Sequence, residues 1–246
     1  MTYNIKIIFS YDGTRFFGWQ KTKTGPAIQE ELEKAIAQIL GKPTPSEAAS
    51  RTDRGVHAKG QVAQFRTDRN IDLRQFRRAL NAILPQEISI QSIQFADDAF
   101  HPTLSASSKE YHYWICNCPV QFPMNRLYSW HVHQPLDLKS MQFAAQDFLG
   151  THDFSAFTNE RTNDAIRTIE RISIFPEAGR VRVEMLADRF LYKMARNIVG
   201  TLVWIGRQKL PKDSIPGIIA SKMRKNAGIT APAHGLFLIE VFYGQS

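Results

Sequence analysis

Ser50-Arg51-Thr52-Asp53-Arg54-Gly55-Val56-His57 sets one carboxylate between two arginines and directly before a glycine, where an apolar stretch gives way to a polar loop. Two cations beside a short acid favour its ionised form. An ionised carboxylate is a poor general acid, but it can act as a nucleophile or stabilise developing positive charge. The arginines offer bidentate contacts to phosphate, and Gly55 lets the backbone turn close to a ligand. The plainer alternative is a solvated turn with surface ion pairs. One acid among phosphate-binding groups points to sugar or base chemistry on a nucleic acid.

The elements that must position this loop follow from hydrophobic spacing. Ile5, Ile7, Phe9 and Tyr11 alternate on a first strand, which Asp12-Gly13-Thr14 breaks into a loop carrying Phe16, Phe17 and Trp19. A helix then aligns Ile28, Leu32, Ala35 and Ile39, with Gly41 suited to stop it. A strand near 47–50 leads into the aspartate loop, and another leaves it at 61–65. Asp72 can cap a helix whose Leu73, Phe76, Leu80 and Ile83 face the core. Strands are expected at 88–95, 109–117, 166–175, 180–186 and 236–243, with helices at 137–149, at 190–205 and after Asp213. This order gives an α+β class: two similar mixed α/β halves, 1–105 with the aspartate loop and 106–246, sharing a largely antiparallel sheet with a central catalytic cleft.

The chain has 246 residues and a formal charge of +8, a balance that favours an acidic partner such as nucleic acid. Cys116 and Cys118 are its two cysteines. Only one residue apart on an expected strand, they read as poorly placed for a disulfide and half a zinc site at most, hence as reduced thiols. The absence of a secretory pattern or membrane-spanning run leads to the expectation of a soluble, cytoplasmic protein with no membrane association. Neither phosphate-cradling nor dinucleotide-binding glycine motifs occur, so no cofactor is expected. His131 and His133 could share a strand face as ligands, but they lack a nearby third partner, and no metal is expected.

Six segments, in order along nearly the whole chain, resemble the TruA family of tRNA pseudouridine synthases. They are Tyr11-Asp12-Gly13-Thr14 with Phe16 and Gly18-Trp19-Gln20; Arg51-Thr52-Asp53 with Gly55-Val56-His57-Ala58; Lys109, Tyr111 and Tyr113; Gly150 with His152-Asp153-Phe154 and Phe157; Phe190-Leu191, Met194 and Arg196-Asn197-Ile198-Val199-Gly200; and Ala231-Pro232-Ala233 with Gly235-Leu236. The resemblance implies isomerisation of uridine to pseudouridine at positions 38, 39 and 40 of the tRNA anticodon stem-loop, by a homodimer.

Breaking a glycosidic bond builds positive charge on the sugar, against which a carboxylate is the usual group. By the resemblance Asp53 is the essential acid. Whether it attacks the sugar, adds to the base or assists removal of a sugar proton stays open. The target base must leave its stack to be reached. Arg51 would fill the space it vacates, and Tyr111, rather than Tyr113 two residues on, would stack on the uracil. Arg196 would pair with Asp53, and Leu191 or Met194 would supply an apolar wall. His152-Asp153-Phe154 is either a turn cap or an RNA-positioning segment.

Trp19 and Gln20 occupy a loop where an aromatic either stacks on a base or braces the loop. They join Arg54, Arg77 and Arg78 as candidate RNA contacts. Ser50 and Arg54 depart from the family pattern, which has a glycine and most often a small residue there. Arg54 could point towards RNA or compete for Asp53. The alternatives are a synthase of the same fold acting on other RNA sites, a tRNA-binding factor whose catalysis has lapsed, and a hydrolase that would release free uracil.

Overall fold

The structure is a computed structural model that describes residues 2–244. In chain order the elements are β1 (Tyr3–Tyr11), α1 (Ile28–Leu40), β2 (Ser46–Ala48), β3 (His57–Thr67), α2 (Leu73–Ile83), β4 (Ile88–Ala96), β5 (Ala106–Cys116), β6 (Trp130–His131), α3 (Leu138–Gln146), β7 (Gly150–Asp153), β8 (Ile166–Glu177), β9 (Arg180–Ala187), α4 (Met194–Gly206), α5 (Ile215–Ser221) and β10 (Leu236–Tyr243). They form an α+β fold with two compact units. One comprises residues up to 107 together with 238 onward, the other 108–237.

In the first unit the strands neighbour one another in the order β4-β1-β3-β10, with β2 on β3. β1 runs antiparallel to β3 and to β4. Ile5, Ile7 and Phe9 are wholly buried, as the alternation requires. The β1–β3 register slips between Phe9 and Tyr11, an irregularity at the strand end from which the first loop departs. Phe76 of α2 stacks on Phe65 of β3 at 5.7 Å. Gly41 ends α1 in the left-handed region (φ 73°), and Asp72 caps α2 by accepting from the Gln75 amide.

Two helical faces differ from expectation. On α1, Ile36 and Leu40 are buried whereas Ile39 is only half-buried. Ile83 is 36% exposed and Leu84 takes the core position. Leu84 precedes Pro85, which disfavours helical backbone, so α2 ends one residue before it.

In the second unit the order is β5-β9-β8-β7, with β6 on β5. The β5–β9, β8–β9 and β7–β8 pairs are antiparallel, while β6 lies parallel to β5. α4 is buried on nearly every side, including Asn197 and Thr201, so the single apolar stripe expected there understates its position in the core. It also starts at Met194 rather than at 190, because Lys193 adopts left-handed backbone (φ 60°) and breaks the helical path. Gly200 admits the Ile229 carbonyl, whose oxygen would lie 1.6 Å from an added Cβ.

The strand expected over 109–117 stops at Cys116, and the chain bends from Cys118. The bend brings the two sulfurs to 3.1 Å, nearer than strand spacing suggested, while both thiols are free, as the sequence implied. Among the described residues no helix is long and apolar enough to cross a membrane.

Candidate active site

Asp53 is half-exposed in a loop whose neighbours are fixed from several directions. Thr52 is buried, with its hydroxyl 2.7 Å from the Tyr11 hydroxyl and its carbonyl accepting from the Trp19 amide at 3.0 Å. The wholly buried Gln61 donates to the Tyr11 hydroxyl (3.3 Å) and to the Ser50 carbonyl (2.8 Å), and it accepts from the Ser50 amide (3.3 Å). Burial pushes the Tyr11 hydroxyl up to about 12, so it stays protonated at neutral pH. After Asp53 the chain turns through Gly55 at φ 79°, and the Val56 amide donates back to the Asp53 carbonyl (3.1 Å). This is the turn expected of Gly55.

The first loop of the unit completes the support. Gly18 (φ 95°) lies so close that an added Cβ would meet the Thr52 carbonyl oxygen at 2.6 Å. The Gly18 and Trp19 carbonyls accept from the Ile28 and Gln29 amides, and so satisfy the start of α1, which has no side-chain cap. One segment thus holds the aspartate loop on one side and a helix N-terminus on the other. Tyr11, Thr52 and Gln61 received no site role from sequence, although Tyr11 and Thr52 lie inside the two signature segments.

Several expected RNA contacts change character. Trp19 is 3% exposed, with its ring 6.0 Å from that of Phe9, so it braces the loop and offers no face to a base. Gln20 is exposed. Arg51 is exposed beside Asp53, and Arg54 is exposed with its guanidinium 4.0 Å from the Phe17 ring centre. That ring fits against Gly25, where an added Cβ would meet it at 2.4 Å. Arg77 is half-buried and donates to the Gln91 carbonyl (2.8 Å), whereas Arg78 is exposed.

In the second unit, β5 presents Lys109, Tyr111 and Tyr113 at alternate positions on one face. Tyr113 is wholly buried, donates to the Pro232 carbonyl (2.8 Å) and meets the edge of Trp130. Its hydroxyl is structural. Tyr111 is 5% exposed and packs edge-on to the half-exposed Phe190 at 4.9 Å. Lys109 is 6% exposed, and burial lowers its pKa to about 8, with Arg189 pushing the same way and Asp188 opposing. Sequence reasoning quoted Lys109 within a motif but gave it no role.

Arg196 is half-buried at the start of α4, and the Ala231 carbonyl holds its Nε at 2.7 Å. The Ala231 amide returns a bond to the Arg196 carbonyl (3.1 Å). Leu191 is half-buried in the segment before the helix, but Met194 has no exposed surface. Of the two candidates for an apolar wall, only Leu191 has surface to offer. Asp153 accepts from the Ser155 amide (3.0 Å) and pairs with Lys222 (2.7 Å), while Phe154 is wholly buried, so this segment is a turn cap with a core aromatic.

His131 and His133 do not gather a ligand set: His131 Nε2 sits 2.8 Å from the Cys118 carbonyl, and His133 is exposed. Glu110, His112 and Glu184 do bring three potential ligand atoms within 4.8 Å of one another. Arg171 and Arg182 each lie 2.9 Å from one of those carboxylates, which makes this an ion-pair network on β5, β8 and β9.

The family described as tRNA pseudouridine synthase matches residues 7–103 and 144–244. That match sets the class: a pseudouridine synthase, an isomerase acting on uridine in tRNA. The tRNA pseudouridine synthase A 2 of Protochlamydia amoebophila is 47% identical over 246 residues, covering 98% of this chain and 94% of that protein. The tRNA pseudouridine synthase A of Acetivibrio thermocellus is 46% identical over 242 residues, covering 98% and 99%. That of Thermoanaerobacter sp. (strain X514) is 42% identical over 242 residues with the same coverage. This chain therefore belongs to the TruA family of tRNA pseudouridine synthases.

Proposed function

We propose that this chain isomerises uridine to pseudouridine at positions 38, 39 and 40 of the tRNA anticodon stem-loop, with Asp53 as its essential carboxylate. The observation that carries the assignment of Asp53 is the way its loop is held. Thr52 is anchored through both its backbone and its hydroxyl, yet the next side chain remains half-exposed. A fixed carboxylate with an open approach is what stabilising charge on a sugar requires.

In the reaction the bond from ribose to the uracil nitrogen breaks, the base turns, and a bond forms to its carbon five, which then loses a proton while the freed nitrogen gains one. Atoms balance without any outside reactant. The target nucleotide flips out of the stem-loop to reach the carboxylate. Tyr111 stacks on the base, Arg51 holds the backbone at the vacated position, Leu191 contributes apolar surface, and Arg196 serves the aspartate as the resemblance implies. The excess of positive charge supports binding to RNA largely through phosphates and shape. We also propose that the chain works as a homodimer in the cytoplasm.

Tritium release from an unmodified tRNA transcript carrying 5-tritiated uridine tests the reading. Wild-type protein is expected to release tritium, and Asp53→Asn to lose about a thousandfold or more in rate while still folding and binding tRNA. Sequencing the modified positions tests 38, 39 and 40. A silent wild-type protein that still binds tRNA would refute the catalytic assignment.

A further inference from the structure

Beyond the reaction, the bend that ends β5 builds a thiol pair. Cys116 is wholly buried at the last position of the strand, and Cys118 is half-exposed just past it, with the sulfurs 3.1 Å apart. A disulfide needs a separation of about 2 Å, so closure asks for a shift of about 1 Å. The backbone between them is already curved and held. The Asn117 amide donates to the Gly179 carbonyl (3.1 Å), and its side-chain nitrogen donates to the Val132 and Gln134 carbonyls (2.8 Å each). Its side-chain oxygen accepts from the Leu136 amide (3.3 Å). The Cys118 thiol also donates to the Gly179 carbonyl at 3.4 Å.

We infer that Cys116 and Cys118 are a redox-sensitive pair that closes to an intrachain disulfide when a small disulfide such as oxidised glutathione is supplied. Exposure sets the order of events. The Cys118 thiolate attacks one sulfur of oxidised glutathione, forms a mixed disulfide and releases one glutathione thiolate. The buried Cys116 thiolate then attacks the Cys118 sulfur and releases the second. Two protein thiols are oxidised and one external disulfide is reduced to two thiols. Closing so short a loop removes little chain entropy, so the bond is a reducible switch rather than a staple.

The chain has no other cysteine, which makes thiol counting unambiguous. Full-length protein would be equilibrated with oxidised glutathione, quenched with iodoacetamide and weighed intact. The expected product carries no alkyl group, is lighter than the reduced chain by two hydrogens, and regains both alkylation sites after dithiothreitol. Cys116→Ser is expected to stop at a stable mixed disulfide on Cys118, and Cys118→Ser to react far more slowly. Two alkylated thiols in the wild type after equilibration, or a mixed disulfide that persists in it, would overturn the inference. These readouts need no tRNA, so they stand or fall apart from the proposed reaction.

Discussion

Around Asp53 the chain is held by polar groups within the first unit: a tyrosine hydroxyl, a threonine hydroxyl, a glutamine amide and the backbone of residues 18 and 19. Around Arg196 the support is the opposite kind. α4 is enclosed by apolar packing, and its buried polar residues serve the core, Asn197 donating to the Phe157 carbonyl (2.6 Å) and accepting from Arg224 (2.9 Å). A loop needs directional bonds to hold one conformation, because little of its surface is buried. A helix in a core is positioned by shape, and its single half-exposed arginine exchanges directional bonds with the Ala231 backbone.

The largest effects should separate these two kinds of support. In Gly200→Ala the new methyl meets the Ile229 carbonyl oxygen at 1.6 Å, a backbone atom that cannot swing aside, so the core must move. A stability loss of about 3 kcal/mol or more is expected, with activity falling only as the folded fraction falls. Gly18→Ala places its methyl 2.6 Å from the Thr52 carbonyl oxygen and strains a residue at φ 95°. It is expected to cost about 1–3 kcal/mol, but turnover should drop by more than the folded fraction. Urea melts beside tritium release would decide, and unchanged turnover in folded Gly18→Ala would show that the aspartate loop tolerates displacement.

Lys109 tests how much stability the second unit gives up for a buried charge. Its folded pKa is depressed from the usual 10.5 to about 8, mainly by burial. Between those values the unfolded chain keeps a proton that the folded chain has released, so this residue's contribution rises with pH across that window. Below it the cost is fully present, on the order of 3 kcal/mol. Between pH 7 and 9.5 the stability of wild type should therefore rise relative to Lys109→Met. A gap independent of pH would mean that the lysine's charge is compensated where it sits.

How much of this was legible in the sequence divides along the same line. The alternation of Ile5, Ile7 and Phe9, the turn at Gly55 and the Asp72 cap are local patterns, and each appears as expected. The start of α4 was not legible, because a lysine in left-handed backbone, as at Lys193, has no signature of its own. Trp19 was ambiguous for a similar reason: a loop tryptophan becomes a brace only when Phe9 stands behind it. The sulfur pair was hidden by a bend that depends on Gly179 and residues 132–136, remote from it in sequence.

Tyr111 and Tyr113 repeat the contrast within one strand. Tyr113→Phe removes a hydrogen bond to the Pro232 carbonyl and should cost about 1 kcal/mol of stability with little change in turnover. Tyr111→Phe keeps the ring against Phe190 and removes only the hydroxyl. If that hydroxyl accepts a proton during turnover, the rate of the folded variant should fall by about a hundredfold. Equal rates for the two variants would assign Tyr111 to stacking alone.

The smallest expected effect bears on Arg54, one of the two residues near Asp53 whose types the sequence reading set apart. Arg54 stacks on Phe17, and Gly25 makes room for that ring, so the arginine has a seat of its own in the first unit. A cation on a half-exposed aromatic contributes about 0.5–1 kcal/mol, and Arg54→Ala should leave the fold intact. If the guanidinium faces phosphate, the variant should bind tRNA a few-fold more weakly, and the salt dependence of binding should lose about one unit of slope. If it instead competes for Asp53, removing it should raise turnover and leave the slope alone. Binding at several salt concentrations, with tritium release on the same samples, separates the two.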